Sequence, residues 1–188
     1  MEEFVAVNDA ATLVVNSGNY FTAPYVESDV ADLPADLMAI GTPWSAIGHT
    51  SLDEILTITS EGGEETVIGT LQKRSLRTTR ADRTETFNIT LQQWDEAGLK
   101  LYYGSNATVG VDGLLQIPQS PVPTIASFLA VFYDGDQAFA IYCPKAEIFR
   151  GDDVSIPDTD SLASLPLSIR PMTHGSNTWA YGLLPLGS

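Results

Sequence analysis

Two apolar stretches, Thr124 to Tyr133 and Gln137 to Cys143, are separated only by Asp134-Gly135-Asp136. An acid–glycine–acid step between two runs of strand-forming residues predicts a β-hairpin. Successive side chains of a strand point to opposite faces. That spacing puts Phe128 and Phe132 on one face, and Leu129 and Val131 on the other. A sheet with one wet face alternates apolar with polar residues, and this hairpin does not. It therefore needs cover on both sides: its own core on one, and the helix or another copy of the chain on the other.

The rest of the chain is cut into short pieces. Its 188 residues include 15 Gly and 11 Pro, and Thr and Val recur in brief runs, which predicts a mainly β fold. A hydrophobic share of 44% against 18% charged is enough to fill a core, and sets the chain apart from disordered sequences. The length fits a single domain, 1–188, with long arms.

Ala11 to Val15 is an apolar run, Asn16-Ser17-Gly18-Asn19 a turn cluster, and Tyr20-Phe21 resumes an extended stretch. From about residue 22 to 45 the text is irregular and Pro-containing, with room for one helical turn at Pro34 to Met38. An arm of this length lies on something, often a neighbouring copy. Leu52 to Thr59 reads as a strand, Glu61-Gly62-Gly63-Glu64 as a turn, and Thr66 to Leu71 as the returning partner. Residues from about 59 to 82 make a polar excursion. In Glu85 to Leu91, Phe87, Ile89 and Leu91 face in while Thr86, Asn88 and Thr90 face out. Thr90-Leu91-Gln92-Gln93 has capping-box spacing and predicts one helix over about 91–103, with Trp94 and Tyr102 as its core anchors and Gly104 as its stop. Leu165, Leu167 and Ile169 alternate with Pro166, Ser168 and Arg170, a last strand placed near an edge by its proline.

The net charge of −15 repels nucleic acid. Its distribution says more. Residues 1–72 hold no Lys or Arg, and then Lys73, Arg74, Arg77, Arg80 and Arg83 crowd into one band. A basic band on an acidic chain predicts either self-complementarity between copies or a solvated hairpin face. The start, Met1-Glu2-Glu3-Phe4, is acidic where a secretory signal is basic, and no run approaches the roughly 18 apolar residues of a membrane span, so no membrane partner and a cytoplasmic origin are expected. Cys143 is the one cysteine, which leaves no intrachain disulfide.

Residues that do chemistry are few. His49, in Gly48-His49-Thr50-Ser51, has hydroxyl neighbours, but adjacent strand residues point apart and make a poor nucleophile–base pair. His174 lies in loop-like sequence. Asp152, Asp153, Asp158 and Asp160 share a turn-rich segment in which a calcium ion is one reading and solvated loops the commoner one. No phosphate loop and no metal-binding His pair is present. The expectation is a protein with no enzymatic activity, no catalytic or metal residues and no cofactor.

Ala23-Pro24, Leu33-Pro34-Ala35-Asp36 and Trp44-Ser45-Ala46-Ile47-Gly48-His49-Thr50-Ser51-Leu52-Asp53 together resemble the N-terminal part of major tail proteins (tail tube proteins) from long, non-contractile-tailed phages of actinobacteria. His49 stands where an aromatic residue is usual in that family. Arg77-Thr78-Thr79-Arg80, Thr84-Glu85-Thr86-Phe87 and Leu101-Tyr102-Tyr103-Gly104 extend the likeness, which spans about residues 20–105.

The resemblance implies a tail-tube-type β-sandwich or barrel with one flanking helix, without the C-terminal immunoglobulin-like domain of some members. It implies a structural virion protein assembled in the host cytoplasm: hexameric rings stacked into a tail tube, with partners in the tape-measure protein, the tail terminator and distal tail proteins, and viral DNA passing without specific binding. Trp44, Lys73, Arg74, Arg77, Arg80, Arg83, Phe128 and Phe132 are the expected inter-subunit contacts. Two other readings stand beside it. One is a non-polymerising virion part such as a tail terminator or head–tail joining protein; the other is a monomeric β-sandwich binding module.

Overall fold

The computed structural model describes residues 11–186. In chain order the elements are β1 (Ser17–Pro24), β2 (Ser45–Ala46), β3 (Thr57–Gly62), β4 (Glu65–Ile68), β5 (Arg77–Arg80), β6 (Arg83–Leu91) and α1 (Glu96–Tyr103). They continue as β7 (Thr108–Val109), β8 (Leu115–Gln116), β9 (Thr124–Asp134), β10 (Gln137–Arg150), β11 (Leu165–Met172) and β12 (Gly182–Leu184). The main sheet runs β2-β1-β9-β10-β11-β6-β3, with β12 also on β10, and every pairing is antiparallel.

The sheet closes on itself. Past β2, the Ile47 N–H donates to the Tyr20 carbonyl at 3.0 Å, and the chain then crosses to the end of β6. There Ser51 N–H reaches the Thr90 carbonyl at 2.9 Å, and Gln92 N–H reaches the His49 carbonyl at 2.8 Å, around a bridge between Thr50 and Leu91. The barrel so formed holds the principal core, including Tyr20, Phe87, Leu91, Phe128, Ile148 and Leu167.

The two-faced hairpin is β9–β10, reversing through Gly135 at φ +60°. Phe128 and Phe132 point into the barrel, while Leu129, Val131 and Ala140 point out into a second apolar layer. The cover over that outer layer is the arm, residues 25–44, folded back on its own sheet. Ala31, Leu37 and Trp44 are buried there. Hydroxyls from the sheet tie the irregular backbone down: Tyr142 donates to the Ala31 carbonyl at 2.7 Å and Tyr133 to the Leu37 carbonyl at 2.9 Å. The Trp44 indole N–H donates to the Asp32 carbonyl at 3.0 Å and its ring meets Tyr142 edge-on. Burying a Leu-sized side chain contributes roughly 1.5–3 kcal/mol, so these few anchors hold a segment that has no backbone ladder of its own. At the arm's root, Tyr25 bonds both Glu27 and, at 2.9 Å, His174, and Lys145 lies 3.6 Å from Glu27. Hydrogen bonding from Tyr25 holds the Glu27 carboxyl below its usual range.

The structure corrects several expectations. The helix begins at Glu96, because Leu91 is the last inward residue of β6 and pairs with Leu165, which keeps the capping-box residues in the sheet and its loop. Asp95 is the true cap: its carboxylate accepts the Gly98 N–H at 2.8 Å. Trp94 lies outside the helix, partly exposed, and donates to the Ala163 carbonyl at 3.1 Å, whereas Tyr102 is buried and donates to the Asp152 carbonyl at 2.6 Å. Ser17, Gly18 and Asn19 belong to β1 and make no turn. Gly18 is small for another reason: a Cβ there would sit 2.8 Å from Phe132 Cδ1. The strand with Pro166 is interior, between β10 and β6. It tolerates proline because β10 pairs only from Leu167 onward, and the Pro166 carbonyl still accepts Gly151 N–H at 2.9 Å.

Candidate assembly surface

The excursion between residues 59 and 82 is one long hairpin with a break in it. β3 pairs with β6, and β4 pairs with β5 in a separate two-stranded sheet, so Thr66 to Ile68 returns against Arg77 to Thr79 and not against β3. Gly62 and Gly63 are the reason. At φ +85° and +73° they kink one strand of the hairpin where a turn was expected to reverse it. A Cβ on Gly62 would lie 2.3 Å from the Asp82 carbonyl of the facing strand. Across the break the ladder is picked up by Gly63 N–H to Asp82 O at 3.3 Å and Ala81 N–H to Glu64 O at 3.1 Å.

Apart from half-buried Gly63, every residue from Thr57 to Thr84 is exposed. The tip, Thr70 to Ser75, is closed by reciprocal bonds between Thr70 and Lys73 and carries Leu71 at 95% exposure. Val67, Ile68 and Leu76 behind it are also open to solvent. A two-stranded ribbon has no face to bury in itself, so aliphatic side chains along it are either a liability or a contact.

Four of the five basic residues of the band, Lys73, Arg74, Arg77 and Arg80, are on this hairpin, and Arg83 stands at its root as the first residue of β6. Arg80 sits opposite Glu65 and pairs with it at 3.0 Å. Lys73, Arg74, Arg77 and Arg83 make no ion pair with a described residue. The apolar residues singled out beside them are placed elsewhere. Phe128 and Phe132 are buried in the barrel, and Trp44, the last residue of the arm, is buried against the sheet, so in the folded subunit these three serve its own cores.

Two open grooves flank residues 48–52 at the far end of β6. One, of about 480 Å³, runs past Gly18 and Tyr20. The other, of about 660 Å³, lies between residues 49–53 and 155–164 and is lined by Leu52, Asp53, Asp160 and Leu162 among others. His49 borders both, but its ring makes no hydrogen bond to Thr50, Ser51 or any other described residue. Among the described residues no three acids, His or Cys converge as a metal ion would require. Of the acid-rich segment, Asp153 pairs with Arg150, and Asp158 caps the Asp160 N–H. Burial raises the Cys143 thiol far above its usual range and keeps it protonated.

The described residues thus form a β-barrel with one helix, an outer sheet face covered by the chain's own arm, and an exposed hairpin that carries cations at its tip. Residues 5–183 match the family described as phage tail tube protein. The chain belongs to that family. Two relatives, both the major tail protein Gp23, from Mycobacterium phages D29 and L5, are each 33% identical over 183 residues, covering 90% of this chain and 89% of theirs. The tail tube protein described here is thus a structural component of a phage tail, and the likeness covers nearly the whole fold, including the hairpin.

Proposed function

We propose that this tail tube protein self-assembles into hexameric rings that stack into a hollow tube, and that the 59–82 hairpin joins each subunit to a neighbouring copy. The tube's lumen holds the tape-measure protein during assembly in the host cytoplasm and later conducts DNA. Its ends meet tail terminator and distal tail proteins. The observation that carries this reading is the hairpin itself: an exposed ribbon carrying four cations, with a fifth, Arg83, at its root, and a bare aliphatic tip, on a subunit of net charge −15. Subunits of that charge repel at long range, so association needs a local match of opposite signs. The same acidity suits a conduit, because a wall that repels phosphate does not hold DNA in transit.

Each exposed pair is worth only ~0.2–1 kcal/mol, but closed rings and long stacks repeat it many times. Arg77→Glu tests the reading: it reverses an exposed charge that has no ion-pair partner among the described residues. Light scattering across a salt series should show slower polymerisation of the variant at low salt, with its thermal unfolding unchanged. Parental polymerisation at low salt would reduce the band to a solvated face.

A further inference from the structure

The hairpin tip and the 660 Å³ groove lie at opposite ends of the same β-ribbon. Thr90, the penultimate residue of β6, borders the groove, while β6 begins at Arg83 beside the kink and the tip lies further out still. At ~3.3 Å per residue, Arg83 to Thr90 alone spans roughly 23 Å. No residue of the tip lines the groove of its own chain.

The two surfaces match in chemistry. The groove exposes Leu52 at 88% and Leu162 at 69%, aliphatic side chains left largely uncovered by the described residues. Its polar rim contains Asp53 and Asp160, and both segments that build it lack cations: residues 1–72 and 151–169 contain no Lys or Arg. The tip offers the complement, a bare Leu71 followed by Lys73 and Arg74. The competing acidic recess, lined by Asp29 and Asp32, has already committed its aliphatic and aromatic groups to the sheet beneath, with Leu33 half-buried and Trp44 buried.

Resting on the proposed self-assembly, we infer that the tip of one copy seats in the 49–53/155–164 groove of a second copy, with Leu71 against Leu52 and Leu162, and Lys73 and Arg74 facing Asp53 and Asp160. The contact uses two different patches, so it is heterologous. It does not saturate at a dimer, and it propagates along the direction in which the hairpin points.

Disulfide trapping in assembled tubes tests this. Cys143 is buried, so the parent gives no background. Under mild oxidation, tubes of Leu71→Cys/Leu162→Cys should give a covalent ladder running beyond the dimer, while each single variant stops at the dimer or below. A ladder from Leu71→Cys/Asp32→Cys in its place, or none from either pair, overturns the inference and leaves the tube reading standing. Failure of the parent to form tubes removes both. If the double cysteine variant does not assemble, Arg74→Glu and Asp160→Arg decide. Each alone should slow assembly several-fold and the two together should restore it; lack of restoration overturns the pairing.

Discussion

Asp95 does more for this fold than its exposed position suggests. It caps the one helix, and the Gly98 N–H, with help from Gln93, holds its carboxyl below the usual carboxylate range. A depressed folded pKa contributes stability that is present above the unfolded value, about 3.9, and is lost as pH falls through the folded value. Asp95→Ala should cost about 1 kcal/mol in denaturant unfolding at neutral pH. The difference from the parent should shrink as the parent's own cap is titrated below pH ~4. A pH-independent difference would mean that packing, and not the charged cap, is what the substitution removes. The inward set Phe87, Ile89 and Leu91 was legible residue by residue, because alternation is written in the sequence itself. The cap was misplaced, since capping-box spacing is local and the pairing of Leu91 with Leu165 is not. Gly18 was misread for the same reason: its small size answers to Phe132, more than a hundred residues away.

Elements joined by short turns were the easiest to foresee, and those whose partner is distant the hardest. Asp134-Gly135-Asp136 reverses the chain as its composition predicts. Glu61-Gly62-Gly63-Glu64 has stronger turn composition yet only kinks a strand, because the register of β3 is set by β6, which lies beyond the excursion. The hairpin as a whole was visible in its polarity and charge, though not in its strand pairing. Its isolation makes a clean test. Replacing Glu64 to Ala81 with a two-residue turn removes only exposed residues. The shortened protein should keep its circular dichroism and melt within a few degrees of the parent, while failing to polymerise in sedimentation. Retained polymerisation would show that the hairpin is dispensable for assembly.

At the scale of the molecule, the two-faced β9–β10 hairpin required cover on each side, with the helix or another copy of the chain expected as the second cover. The structure answers with the chain's own arm, which leaves the hairpin and not the sheet face as the surface turned outward. Phe128, fully buried in the barrel, is then a folding residue first. Phe128→Asp places a carboxylate where no partner exists, a cost of several kcal/mol against a typical total stability of about 5–15 kcal/mol. It should yield insoluble or unfolded chain, read by solubility and far-UV spectra. A soluble, folded Phe128→Asp protein defective only in assembly would place Phe128 at a subunit contact. The central claim is that this subunit builds a tube from copies of itself, and electron microscopy of the purified protein in concentrated solution addresses it most directly. Hollow tubes of stacked rings, sixfold when viewed end-on, are the expected result. Discrete, unassembled particles at every concentration and salt would contradict it.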